Sequence, residues 1–244
     1  MRYEQVEKAV FLSRPNRFLA KVLLCGKEET VHVKNTGRCK ELLTKGAVVY
    51  LAKGKNQNRK TAYDLIAVEK SRGTETLLIN MDSSLPNAVA AEWLSASRLF
   101  SPAAKIKREV TFANSRFDLF VEDGERRAFL EVKGVTLEKE GIAFFPDAPT
   151  KRGVKHLREL AKAVKEGYEG YLLFVAQMKG VREVRPNDDT DLAFGNALRE
   201  AAATGVRILA VDCTVYPDAV TADAPLPVVL FDPDNKNEET RGKP

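Results

Sequence analysis

Asp118, Glu131 and Lys133 are the residues of this chain best suited by type and spacing to do chemistry. Two carboxylates that approach one another can share a hard divalent cation such as Mg2+ or Mn2+. An ammonium beside them can orient an attacking water and offset charge developing on a phosphoryl group. Such a set suits phosphodiester hydrolysis, with Asp118 and Glu131 as metal ligands and Lys133 as the catalytic helper. The backbone carbonyl of Val132, between the second carboxylate and the lysine, is a further candidate metal ligand. The same residue types would also occur on a solvated strand face holding an ordinary ion pair, so the surrounding segments have to decide.

Asp123-Gly124 sits between two strand-like stretches, and that dipeptide favours a two-residue hairpin turn with positive φ. The turn sets Asp118 opposite Phe129, Leu119 opposite Ala128 and Phe117 opposite Leu130. Alternation then predicts one apolar face of Phe117, Leu119, Val121, Ala128, Leu130 and Val132. The other face carries Asp118, Phe129, Glu131 and Lys133. The two carboxylates become diagonal neighbours, roughly 7–8 Å apart at the backbone.

The chain has 244 residues, enough for one large domain or two smaller ones, and 44% of them are apolar. No apolar run is long enough to span a membrane, and residues 1–7 do not read as a signal segment. Cys25, Cys39 and Cys213 are scattered and odd in number, which suggests reduced thiols and a cytoplasmic setting. His32 and His156 are the only histidines, so neither a structural zinc site nor a serine–histidine triad is expected. The net charge of +5 is uneven: residues 1–80 hold 16 Lys and Arg against 8 Asp and Glu. A basic first part joined to a mildly acidic second part suggests a polyanion-binding module beside a carboxylate-bearing one.

Residues 1–80 read as five short strands, near 8–12, 18–24, 29–33, 47–52 and 61–69, separated by Gly26-Lys27, Lys45-Gly46 and Gly54-Lys55. With a short helix over Cys39–Thr44, the pattern predicts a small OB-like β-barrel. Residues 81–232 read as a second, α/β domain. It has a helix over 87–99, a strand over 106–112, the hairpin, a stiff proline-containing loop at 144–149 and a helix over 151–166 capped by Thr150. A buried strand over 170–177, a helix over 190–204 and a strand over 206–211 follow. That alternation after an antiparallel hairpin describes a mixed sheet. Residues 233–244 form a polar tail.

A hairpin bearing Asp and Glu-x-Lys, with a helix before it and a helix and strand after it, resembles the core of PD-(D/E)XK nucleases. The whole chain also resembles the sugar fermentation stimulation protein (SfsA) family. The resemblance is carried by Arg14-Pro15-Asn16-Arg17-Phe18, Asn35-Thr36-Gly37-Arg38, Arg59-Lys60-Thr61-Ala62-Tyr63, Ser84-Leu85-Pro86-Asn87, Glu131-Val132-Lys133 and Phe145-Pro146-Asp147-Ala148-Pro149-Thr150, with Lys155-His156-Leu157 beyond. It implies an N-terminal OB-like domain, a C-terminal nuclease-like domain and DNA binding. Two departures stand out: Val33-Lys34 where the family usually has Cys-Pro, and Gly134 where it usually has Ser. Neither touches the acidic pair.

Arg14, Arg17, Arg38, Arg59 and Lys60 are candidate phosphate contacts in the basic domain. Phe18, Tyr50 and Tyr63 could stack on bases or belong to the core. Lys151, Arg152, Lys155 and His156 could hold a phosphate backbone near the metal. Glu92 is a candidate additional metal ligand, and Asp147 either caps a helix or approaches the metal. Two functions follow: a Mg2+- or Mn2+-dependent DNA or RNA nuclease, or a non-catalytic DNA-binding regulator of sugar metabolism genes that keeps a nuclease fold. Retention of all three of Asp118, Glu131 and Lys133 favours the first.

Overall fold

The structure is a computed structural model that describes residues 1–35, 37–54 and 59–231. Thr36, Lys55 and the polar tail lie outside the described residues. Six strands form the first sheet: β1 (Val6–Ser13), β2 (Leu19–Leu24), β3 (Lys27–Val33), β4 (Val48–Lys53), β5 (Tyr63–Arg72) and β6 (Glu75–Asn80). They lie in the order β3-β2-β1-β4-β5-β6, and an additional pairing of β3 with β5 closes the first five into a barrel. Alternate residues Ala9, Phe11, Ala20, Val22, Val31, Val33, Val49 and Leu51 point inward and are buried. This is the OB-like barrel expected from the strand spacing. Two details differ. Residues 39–44 form a single turn closed by the Leu43 amide on the Cys39 carbonyl, not a helix. β6 extends the sheet beyond the barrel through a turn at Gly73, whose positive φ suits a residue without Cβ.

The second part contains α1 (Leu85–Ala96), β7 (Lys105–Phe112), β8 (Ser115–Asp123), β9 (Arg126–Val135), β10 (Leu137–Lys139), β11 (Ile142–Phe145), α2 (Lys151–Lys165), β12 (Glu169–Ala176), β13 (Glu183–Pro186), α3 (Asp188–Ala203), β14 (Arg207–Tyr216) and β15 (Ala219–Pro225). Its main sheet runs β15-β14-β12-β9-β8-β7. β12 pairs parallel with both β9 and β14, and the outer pairings are antiparallel, so the sheet is mixed. α1 packs Leu85, Val89 and Leu94 on one face, against Leu119, Leu130, Val132 and Leu173. α2 and α3 cover the other face with Leu157, Leu160, Phe194 and Leu198 over Phe117, Phe129, Leu172 and Phe174. β12 is apolar on both sides because both its faces are covered, and Tyr171 through Ala176 are fully buried. A small sheet of β10, β11 and β13, with strands of three or four residues, was not anticipated.

The hairpin is real, but its turn lies one residue further on. Asp123 pairs with Arg126 across Gly124-Glu125, and the register runs Val121 to Ala128, Phe120 to Phe129 and Leu119 to Leu130. Gly124 takes the positive φ that the turn needs. The expected pairing is therefore shifted by two residues in total, which preserves side-chain facing over most of the ladder. Phe117 is the exception. It packs with Phe129 and His156 rather than with Leu119, so the alternation breaks at Asp118.

Polar contacts fasten the barrel side to the second part. Gln177 donates to the carbonyls of Asn80 and Asp82, Lys34 pairs with buried Asp82 at 2.6 Å, and Lys70 pairs with buried Glu138 at 2.6 Å.

Candidate metal and nucleic-acid site

Strand β9 alternates Leu130 and Val132 toward α1 with Glu131 and Lys133 toward α2. Glu131 is therefore drawn under α2, where it is almost wholly buried. Its Oε1 accepts from Lys133 Nζ at 2.5 Å and meets His156 Nδ1 in a short contact. Its Oε2 is buried with no hydrogen-bond partner among the described residues. A bare, buried carboxylate oxygen is costly, roughly 1–3 kcal/mol or more for a charged group.

Asp118 stands where the β8–β9 ladder ends. One step beyond the Leu119–Leu130 pair, the register brings it level with Glu131. Its Oδ2 accepts the Val132 amide at 2.8 Å, and its Oδ1 accepts from Asn87 Nδ2 at 2.8 Å. Burial, and after it the charge of Glu131, holds the Asp118 carboxyl above its ordinary pKa range, against the Val132 amide, Lys133 and Asn87. Burial is also the largest influence on Glu131 and alone would raise it. The His156 bond and the Lys133 ammonium outweigh that influence and hold Glu131 below its ordinary range. Neighbouring carboxyls pushed in opposite directions are a mark of a functional site.

The residues fit a hard divalent cation. Mg2+ needs one or two carboxylates and retains several waters, so two acidic side chains and an unused oxygen are a sufficient donor set. No cluster of three or more His, Cys, Asp or Glu side chains able to hold a metal occurs among the described residues. That excludes an all-protein cage there but not a hydrated ion on two carboxylates. Val132 enters the site through its amide. Glu92 does not enter it: the side chain is exposed and salt-bridged at 2.9 Å to the Met1 ammonium, because its position on α1 faces the N-terminus. Asp147 does not cap α2. Thr150 Oγ1 caps α2 through the Gly153 amide, while the Asp147 carboxylate lies against Gly37, where any Cβ would stand 2.2 Å from Oδ2.

The basic candidates separate into two groups. Arg14 is structural: its guanidinium donates to the carbonyls of Gly37, Arg38, Arg17 and Asn35 at 2.7–2.9 Å. Arg59 is held bidentate by Asp64, which also bonds His32. His156 is buried against Glu131 rather than offered to a phosphate, and Arg152 Nε donates to its other ring nitrogen at 3.3 Å. Arg14 and Arg59 are therefore engaged within the protein rather than offered to a phosphate.

Arg17, Arg38 and Lys60 remain exposed, as do Lys151, Arg152 and Lys155 at the start of α2, although Lys155 Nζ also donates to the Asn114 carbonyl at 2.6 Å and Arg152 bonds His156. A helix N-terminus disfavours cations. Lys151 and Arg152 in the first turn, with no acid there, are poorly explained by helix stability alone. Tyr50 and Tyr63 are half-buried, Tyr50 bonding Glu69, whereas Phe18 is 44% exposed.

Asn87 and the orienting role of His156 escaped sequence reasoning. Asn87 had one signal: an amide in the first turn of a helix whose neighbours Leu85, Pro86, Val89 and Ala90 are all buried. His156 had a signal too, since it sits beside Leu157 in the buried stripe of α2.

Comparison with known proteins agrees with both halves of the architecture. Residues 12–79 match the family described as SfsA N-terminal OB domain, and residues 84–222 match the sugar fermentation stimulation protein RE domain. A sugar fermentation stimulation protein homolog of Desulfitobacterium hafniense (strain Y51) is 55% identical over 222 residues, covering 91% of this chain and 95% of the relative. A homolog of Clostridium beijerinckii is 49% identical over 230 residues, covering 94% and 100%. Among solved structures, Pyrococcus furiosus SfsA in complex with Ca2+ superposes with a TM-score of 0.81 at 26% identity, covering 94% of this chain and 98% of that one.

Proposed function

The chain belongs to the sugar fermentation stimulation protein family, and we propose that it is a nucleic-acid-binding phosphodiesterase that requires Mg2+ or Mn2+. The observation that carries this reading is Glu131 Oε2, buried and unpartnered beside Asp118, with Lys133 on the same carboxylate. In an apo protein this arrangement is a liability; a cation against that oxygen removes it. The bound ion would supply Lewis acidity and a more acidic water. Asp118 and Glu131 would hold it, with Asn87 and His156 fixing the orientation of each carboxylate. Lys133, 16% exposed at its side chain, would reach the attacking water or the phosphoryl oxygens. Lys151, Arg152 and Lys155 would position the phosphate backbone, which fits cations gathered at a helix start that repels them. The nuclease-like reading of the mixed-sheet domain rests on this site, and the Ca2+ of the Pyrococcus furiosus structure is consistent with a hard-cation preference.

A crystal soaked in Mn2+ tests the reading. An anomalous peak within coordination distance of both Asp118 and Glu131 is expected. A peak elsewhere, or none at saturating Mn2+, would sink it.

A further inference from the structure

We infer that the barrel carries a subsite for single-stranded nucleic acid, in which Phe18 stacks on a base and Arg17, Arg38 and Lys40 hold the adjoining phosphates. The inference deepens the reading above by naming the substrate's strandedness, and it rests on that reading for the substrate being a nucleic acid.

Four observations carry it. First, a cavity of about 270 Å3 opens on the barrel, lined by Asn16, Arg17, Arg38 and Lys40 with Leu43 at its apolar side. None of the three cationic side chains has an ion-pair partner among the described residues, in contrast to Arg59, which is spent on Asp64. Second, the cavity wall is rigid. The half-buried Arg14 clamp draws the carbonyls of Arg17, Asn35, Gly37 and Arg38 together, so the side chains of Arg17 and Arg38 are presented from one hydrogen-bonded frame.

Third, Phe18 is exposed on a fixed backbone. Asn16 Oδ1 accepts the amides of both Phe18 and Leu19, and the Phe18 carbonyl accepts the Val33 amide. A phenyl ring left in water on an immobilised backbone has no core role. The Arg17 guanidinium, 4.6 Å from the ring centroid, gives it a cationic neighbour. Aromatic ring and cation side by side suit an unpaired base and its phosphate. A duplex would keep its bases stacked inside and offer the ring nothing to stack on.

Fourth, the segment that forms this wall is joined to the chain just before α1 and just before α2, the two helices that supply partners of the carboxylates. The Lys34 carbonyl accepts the Ser83 amide and hydroxyl, just before α1 and Asn87. Gly37 abuts Asp147, just before α2 and His156. The barrel wall is thereby tied to the segments that lead into the helices carrying Asn87 and His156, the partners of Asp118 and Glu131.

The test is equilibrium binding of the full chain in EDTA, so that neither metal nor cleavage enters. The probes are fluorescent oligo(dT), oligo(rU) and a mixed-sequence duplex of equal length. Phe18→Ala should weaken both single-stranded probes roughly fivefold or more and change duplex affinity by less than about twofold. Phe18→Leu should lose as much, and Phe18→Trp should restore binding, which separates stacking from mere apolar bulk. Arg38→Ala with Lys40→Ala should flatten the salt dependence of single-strand binding by a slope of roughly 1.4. Either sugar serving as the preferred probe supports the subsite and assigns DNA or RNA.

Equal effects of Phe18→Ala on single strands and duplex would overturn the inference, as would no effect on either. Because Phe18 is exposed, its variants keep the fold, and a thermal melt checks this. A protein that binds single strands through Phe18 but never cuts them keeps the subsite and loses the hydrolase reading. One that cuts duplex undisturbed by Phe18→Ala does the reverse.

Discussion

Asp118→Asn separates the charge of the proposed metal site from its packing. The side chain is isosteric. One asparagine oxygen can still accept the Val132 amide, and Asn87 can turn its amide to present an acceptor to the new NH2 group. The fold should therefore survive. The sign of the apo effect follows from the raised pKa of Asp118: above the ordinary carboxylate range its charge is penalised by burial and by Glu131, so neutralising it should not lower the melting temperature in EDTA. Metal should act oppositely. A cation that binds only the native state at a hundred times its Kd stabilises by about 2.7 kcal/mol. For a chain of this length each kcal/mol moves Tm by roughly 2–4 °C, so Mg2+ or Mn2+ should raise the wild-type Tm by about 5–10 °C. Asp118→Asn should lose most of that rise. Differential scanning fluorimetry in EDTA, Mg2+ and Mn2+ reads all three quantities. Equal shifts in wild type and variant would mean the ion binds elsewhere and would refute the reasoning.

Other outcomes follow from particular contacts. Arg14→Ala should destabilise the protein by on the order of 3 kcal/mol in a urea titration, since four carbonyls lose a charged donor; unchanged stability would return Arg14 to the phosphate contacts. Gly134→Ala should cost about 1–3 kcal/mol by the same titration, because its Cβ would stand 2.4 Å from Gln177 Oε1 and 2.6 Å from Pro86 Cγ; a neutral result would show that the seam relaxes freely. The Arg126 bond holds Glu169 down to about 2. The stability this confers is present above the ordinary glutamate pKa of about 4.3 and is lost as pH falls from there toward 2. Solvent screening at this partly exposed pair limits it to about 1 kcal/mol, and Arg126→Ala should remove that part of the acid dependence of Tm.

Much of the architecture was legible because its signals were local and repeated. The five short strands and turn signals of residues 1–80 and the continuous apolar run of β12 pointed to a barrel and a doubly covered sheet. The Thr150 cap marked the start of α2, and the expected span of 151–166 lies within a residue of the observed one. The hairpin register was misjudged because Asp123-Gly124 and Gly124-Glu125 both place Gly124 in the turn, and only packing chooses between them. The faces of the ladder near the turn survived, since a two-residue shift preserves alternation. Phe117 did not follow, because the strand loses its regular ladder at Asp118, the place where a carboxylate is released to take a backbone amide.

Within the site, Asp118, Glu131 and Lys133 could be found by type and spacing. The partners that orient them could not. His156 lies 25 residues from Glu131 and Asn87 lies 31 from Asp118, distances that only the tertiary fold closes. Arg14 and Arg59 show the opposite failure: a charge count cannot see that a guanidinium is already occupied by carbonyls or by Asp64.

Cleavage of labelled nucleic acid by wild type and Lys133→Ala tests the central claim most directly. The wild-type protein is predicted to cut slowly with Mg2+ or Mn2+ and not at all in EDTA. Lys133→Ala should abolish cutting while binding stays within a few-fold, because the ammonium is required in the transition state rather than for ground-state affinity. Wild-type protein that leaves single-stranded DNA, duplex DNA and RNA all uncut with either metal would contradict the claim and leave a nucleic-acid-binding regulator.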